Sequence, residues 1–139
     1  MNLTNILLLE DDYLDVIDIR RTLDKMDVLY KLHVAKNGEE AIGILKGEGE
    51  AALDTLPDIV LIDINMPKMN GIEFLSEIRK NGKWRSLKCF ILTTSDEPID
   101  REVATNLGVS GYIIKPLKLS NPSKDAFNLL IDLINLKTS

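Results

Sequence analysis

Pro57-Asp58-Ile59-Val60-Leu61-Ile62-Asp63-Ile64-Asn65-Met66-Pro67-Lys68-Met69-Asn70-Gly71 is the stretch on which the reading of this chain turns. Four consecutive apolar residues at 59–62, three of them β-branched, predict a strand buried on both faces, as in a parallel sheet. Asp63 follows at once. A carboxylate therefore stands at the carboxyl end of a central strand, where open α/β sheets place ligands and chemistry. Pro67 and Asn70-Gly71 then turn the chain into a helix, with Asn70 as N-cap and Glu73 as its capping-box partner.

The flanking sequence repeats this alternation. Residues 5–9 form an apolar run that also ends in acids, Glu10-Asp11-Asp12. Val16, Ile19, Leu23 and Met26 then predict a helix over about 13–26. Residues 29–34 alternate apolar and polar, as an edge strand does. Asn37 caps a short helix with Glu40 at the box position and Ala41, Ile42 and Leu45 inward. Residues 46–56, with Gly47-Glu48-Gly49-Glu50, read as an exposed loop.

Past the central strand, Ile72, Leu75 and Ile78 give the third helix its stripe, which Asn81-Gly82 ends. Trp84 is expected to pack on a helix end. A fourth strand at about 88–92 runs into Thr93-Thr94-Ser95-Asp96, and Pro98 opens a helix lined by Ile99, Val103 and Leu107 and closed by Gly108. Residues 111–114 are a fifth strand ended by Lys115-Pro116, and Asn121-Pro122 opens a last helix with Phe127, Leu130, Ile131 and Ile134 on one face. Five strands alternating with five helices predict a three-layer α/β/α sandwich of flavodoxin-like topology, a parallel sheet of order 2-1-3-4-5.

Composition bounds the function. A length of 139 residues suits one domain with a proper core. The net charge of −5 and the scattered Lys and Arg argue against nonspecific nucleic-acid binding. The longest apolar run falls far short of the roughly 20 residues of a membrane span, and no secretory leader opens the chain. The expectation is a cytoplasmic protein without membrane or nucleic-acid partners. Cys89 reads as a buried small hydrophobe, and His33 has no partner with which to hold zinc.

The polar clusters all follow strands, which gathers them on one rim: Glu10 and Asp11, Asp63, Thr93, and Lys115. Three converging carboxylates repel, and a hard divalent cation such as Mg²⁺, which takes oxygen ligands together with a phosphate, resolves the conflict. Lysine adds a compact positive charge and threonine a hydroxyl donor. An aspartate in that company is equipped to attack phosphorus and form an acyl phosphate.

With these pieces on one rim, the sequence resembles the receiver domains of two-component response regulators. The matching segments are Leu8-Leu9-Glu10-Asp11-Asp12, Leu61-Ile62-Asp63-Ile64-Asn65-Met66-Pro67 with Asn70-Gly71, Leu92-Thr93-Thr94, and Gly111-Tyr112-Ile113-Ile114-Lys115-Pro116. The resemblance implies that Asp63 is the phosphoacceptor. It implies Mg²⁺, or Mn²⁺, held by Asp11, Asp63 and the backbone carbonyl of Asn65, with Glu10 acting through water. Thr93 and Lys115 would contact the phosphoryl group, Tyr112 would swing inward as Thr93 moves, and the Lys115-Pro116 bond would be cis.

The resemblance further implies one receiver domain over 1–139 with no output domain. Asp63 would be charged by a sensor histidine kinase, and the helix 4–strand 5–helix 5 face would switch and could pair two copies. The domain would catalyse its own phosphotransfer and slow self-dephosphorylation, and would not be an enzyme otherwise. Glu10 stands where Asp is commoner, Asn70 replaces a frequent Asp, and Thr94 a small residue. The longer 46–56 connection and the run Thr93-Thr94-Ser95 resemble stand-alone receivers of phytochrome-type or hybrid kinases.

Other classes fit less well. An aspartyl phosphatase needs a second acid two residues after the first, where Asn65 stands. A flavin module needs a phosphate loop after strand one, where three acids stand. A receiver-like interaction module that takes no phosphate would not need the whole set.

Overall fold

The computed structural model describes residues 3–48 and 55–138. Its sheet consists of β1 (Thr4–Leu9), β2 (Tyr30–Ala35), β3 (Ile59–Ile62), β4 (Cys89–Thr93) and β5 (Gly111–Ile114). The strands lie in the order β2-β1-β3-β4-β5, and every neighbouring pair is parallel, as expected from the sequence. The helices are α1 (Tyr13–Lys25), α2 (Gly38–Leu45), α3 (Gly71–Lys80), α4 (Pro98–Asn106) and α5 (Lys124–Thr138). Among the described residues no helix is long and apolar enough to cross a membrane.

Strand alternation divides the apolar residues into two cores. Leu7, Leu9, Val60, Ile62 and Ile91 face α2 and α3, against Ala41, Ile44, Phe74 and Ile78. Ile6, Leu8, Ile59, Leu61 and Phe90 face α1 and α5, against Ile19, Leu23, Leu129 and Leu133. A strand apolar at every position needs a helix on each side, and β3 has both. Cys89 lies in the first core, and burial pushes its thiol up to about 11, so it behaves as a hydrophobe. His33 is half-buried on β2 with Nε2 at 3.4 Å from Asn5 Oδ1.

The helix starts follow local chemistry. Asp12 caps α1, accepting from Leu14 N at 2.9 Å, and Asn37 accepts from Glu40 N at 2.8 Å. Asn70 and Glu73 form the full reciprocal box at the start of α3. Gly108, with φ of 78°, supplies the left-handed residue that ends α4. Lys115-Pro116 is cis.

The structure corrects several helix faces. In α5 the buried residues are Ala126, Leu129, Leu130 and Leu133, while Phe127, Ile131 and Ile134 point to solvent. The helix carries two adjacent apolar stripes, and a polar contact fits the choice: Asp125 accepts the Tyr112 backbone N–H at 2.8 Å, which fixes the rotation of α5 on edge strand β5. The start is also later than Asn121-Pro122. Ser123 caps it through its hydroxyl, accepting from Ala126 N at 3.1 Å. On α4, Ile99 and Val103 are exposed and Ala104 is buried.

In α3, Phe74 takes the core position ahead of Ile72, which is half-buried. Ile42 of α2 is likewise half-buried, and Ile44 lies inside. Trp84 is part of the α2/α3 core. The 46–56 connection falls largely outside the described residues.

Among the described glycines, Gly71 makes the tightest approach. A Cβ there would run into the Asp63 carbonyl oxygen and lie 2.7 Å from Ile62 Cγ2. The first turn of α3 is thereby pressed onto the residue that ends β3. Gly71→Ala is expected to lower stability by roughly 1–3 kcal/mol through overpacking against backbone, measured by urea unfolding. Asn70→Ala, which removes only the cap, is expected to cost about 1 kcal/mol.

Candidate functional site

The sheet register carries the polar residues to one level. Leu9 pairs with Ile62, Ile62 with Ile91, and Thr93 with Ile114. The ladder then continues one residue beyond the strands: Asp63 N donates to Leu9 O at 3.0 Å, and Lys115 N to Thr93 O at 2.9 Å. Glu10 N donates to Ala35 O at 2.9 Å. The backbones of Glu10, Asp63 and Lys115 are thus held by the sheet itself, at the edge where right-handed crossovers leave an open rim.

Side chains close the arrangement. The Lys115 ammonium donates to Glu10, to Asp15 Oδ2 at 2.8 Å and to Asp63 Oδ2 at 3.1 Å. Glu10 and Asp63 are buried, and Asp11 is exposed at the mouth. One carboxylate oxygen from each of Glu10, Asp11 and Asp63 lies within 4.8 Å of the others. This oxygen-only donor set of two buried acids and one exposed acid fits a hard divalent cation.

Thr93 is fully buried, its Oγ1 accepting from Ser95 N at 3.3 Å. Tyr112 lies inward and buried, and its hydroxyl donates to the Ser95 carbonyl at 2.8 Å. The Arg101 guanidinium stacks over the Tyr112 ring, 4.5 Å from its centroid. Asn65 N lies 3.4 Å from Asp63 Oδ1, and both the Asn65 and Thr94 side chains are exposed.

Of the residues expected from the sequence, Glu10, Asp11, Asp63 and Lys115 meet at one rim, Thr93 ends the neighbouring strand, and Tyr112 lies deeper on β5, level with Ile91. Asp15 was not among them. It comes from the first turn of α1, and its carboxylate reaches the rim through its bond from Lys115. Asp12, grouped with the strand-end acids, is instead the α1 cap.

Charge is unevenly balanced here. Burial alone would lower the Lys115 pKa, but the hydrogen bonds it donates to Asp15 and Glu10 and the charge of Asp63 override it, holding the ammonium well above its usual range. Burial, with the Asp63 charge added, pushes Glu10 up to about 7 despite the Lys115 bond. Lys115 therefore stays charged at neutral pH, and Glu10 takes up a proton far more readily than an ordinary glutamate.

The chain belongs to the response regulator receiver domain family, whose model matches residues 6–124. It is 30% identical to response regulator Rcp1 of Synechocystis sp. over 125 residues, which cover 90% of this chain and 82% of Rcp1. It is 35% identical over 111 residues to the sensor histidine kinase CheAY of Helicobacter pylori, covering 80% of this chain but 13% of the kinase.

Among solved structures, it is similar to the phosphorylated cyanobacterial phytochrome response regulator RcpA, with a TM-score of 0.79 and 30% identity over 99% of this chain and 96% of that one. The Mn(2+)-bound form of Rcp1 is similar at a TM-score of 0.78, covering 98% and 96%. Receiver domains are signalling domains with a phosphorylatable aspartate and an acidic cluster able to bind a metal.

A raised acid pKa has a defined sign. Glu10 binds its proton more tightly folded than unfolded, so its contribution to stability is complete below about 4.5 and is lost as pH climbs to about 7. In metal-free buffer, Glu10→Gln is therefore expected to gain stability relative to wild type across that window. Urea midpoints at several pH values measure it, and a constant difference between the two proteins would contradict the assignment.

Proposed function

We propose that this domain is a phosphorylation switch in which Asp63 accepts a phosphoryl group from the phosphohistidine of a sensor histidine kinase. The observation that carries this is the convergence on the buried Asp63 of the Lys115 ammonium and the carboxylates of Glu10 and Asp11. An Asp63 oxygen forms the O–P bond as the P–N bond breaks. The electron pair returns to the imidazole nitrogen, which takes a proton from water. Asp63 is held in line by β3, and Lys115 supplies positive charge to the phosphoryl oxygens.

Asp11, Asp63 and the Asn65 carbonyl would hold Mg²⁺ or Mn²⁺, with Glu10 reaching it through water. Bound there, the cation supplies neutralisation of charge on the transferring group. Thr93 would donate its hydroxyl to a phosphoryl oxygen, with Tyr112 packing inward behind it. The Mn(2+)-bound Rcp1 and the phosphorylated RcpA support this reading. Readout would pass through α4, β5 and α5, where Ile99, Ile114, Phe127 and Ile131 leave apolar surface exposed. That face would meet a downstream protein or a second copy of the chain, and a phytochrome-type or hybrid kinase would be the donor.

Incubation with acetyl phosphate and Mg²⁺ is expected to add one phosphoryl group to the wild type, read by intact mass, and none to Asp63→Asn. Equal labelling of the two proteins, or no labelling of either, would sink the proposal. Because Glu10 must release its proton before the notch carries its full charge, calorimetric Mg²⁺ affinity is expected to rise as pH climbs to about 7 and then level off. Asp11→Asn should weaken binding at every pH.

A further inference from the structure

Asp15 belongs to none of the roles assigned above, yet its carboxylate is bonded to the lysine on which the reaction depends. An ammonium has three N–H donors. All three of Lys115 are engaged, by Glu10, Asp15 and Asp63. To grip a phosphoryl oxygen the lysine must give up one of these acceptors.

The three are not equally easy to leave. The Glu10 side chain is 1% exposed and would be stranded without water. Asp63 carries the incoming group and stays beside the lysine. The Asp15 side chain is 33% exposed, so water can replace the lysine. It also sits in the first turn of α1, where the helix dipole favours a carboxylate.

We infer that Asp15 is a releasable counter-ion of Lys115: a positioning residue that competes with the phosphoryl group for the ammonium and thereby slows phosphorylation of Asp63. This rests on the phosphoacceptor reading of Asp63. A partly exposed, competing carboxylate makes the third bond of the resting lysine exchangeable, whereas the other two bonds go to buried acids.

The test is the labelling rate with acetyl phosphate at saturating Mg²⁺, followed by intact mass, for wild type, Asp15→Asn, Asp15→Glu, Lys115→Gln and the Asp15→Asn/Lys115→Gln pair. Asp15→Asn is expected to label about two- to five-fold faster than wild type, and Asp15→Glu at the wild-type rate. In the Lys115→Gln background Asp15→Asn should change nothing, because its effect runs through the lysine. A rate gain of equal size in both backgrounds would mean a general charge effect and would overturn the inference. So would an unchanged or slower Asp15→Asn.

If Lys115→Gln does not fold, a salt series decides. Long-range charge effects fade between about 0.05 and 0.5 M salt as the screening length shrinks, while competition at bonding distance does not. A ratio of Asp15→Asn to wild type that falls to one overturns the inference, and a constant ratio supports it. Wild type that takes no phosphoryl group at all refutes the phosphoacceptor reading itself, a result distinct from each of these.

Discussion

A single lysine ammonium holds together carboxylates that would otherwise force each other apart. Glu10, Asp15 and Asp63 all bond to Lys115, whose side chain is 10% exposed. Breaking a buried ion pair by removing one partner costs about 3–5 kcal/mol, because the charge left behind has neither water nor counter-ion. The acids here outnumber the lysine, so the site is stable but electrically incomplete. Burial first, and then the Asp63 charge, raises Glu10, and the excess of acids leaves a demand for positive charge at the mouth, where Asp11 stands. A resting site of this kind is poised to exchange counter-ions, which is what a reversible phosphoryl acceptor requires.

The fold exists to deliver those groups to one spot with little freedom. The parallel register puts the ends of β1, β3, β4 and β5 at one level, and two further ladder bonds fix Asp63 and Lys115 beyond the strands. Gly71 lets α3 press on the Asp63 carbonyl, and the Asn70–Glu73 box sets where that helix begins. At the opposite end, Arg79 donates to the carbonyls of Leu107, Arg85, Leu87 and Gly108. It ties the end of α3 to the end of α4 and to the entry of β4. The α3 side of the sheet is thus braced at both ends of that helix.

Most of this architecture was legible because strands buried on both faces are apolar at every position and stop abruptly at polar residues. The runs 5–9 and 59–62 end in Glu10 and Asp63, and no other placement of those acids is compatible with a dry sheet. Helix rotation was less legible. The residues of α5 form two neighbouring apolar stripes, and periodicity alone does not say which one faces inward; the bond from Tyr112 N to Asp125 agrees with the face observed. Asp15 was hidden for a different reason. Its partner lies 100 residues away, and only the folded rim brings the two together.

The contacts of α4 run from the rim to the surface. Of its residues, Ala104 alone is buried, and its first turn has no side-chain cap. Its N-terminal half is instead held by Ser95, whose hydroxyl donates to Asp100 at 2.8 Å, and by Arg101, which spans the Tyr112 ring and Asp96. Its C-terminal end is pinned by Arg79 through the Leu107 and Gly108 carbonyls. With so little of α4 in the core, its position rests on these polar contacts at its two ends. The contact nearest the rim is Ser95, whose N–H donates to the Thr93 hydroxyl and whose carbonyl accepts from the Tyr112 hydroxyl. Ser95 thereby joins the Thr93 hydroxyl and the Tyr112 hydroxyl to the first turn of α4, one hydrogen bond from the exposed Ile99.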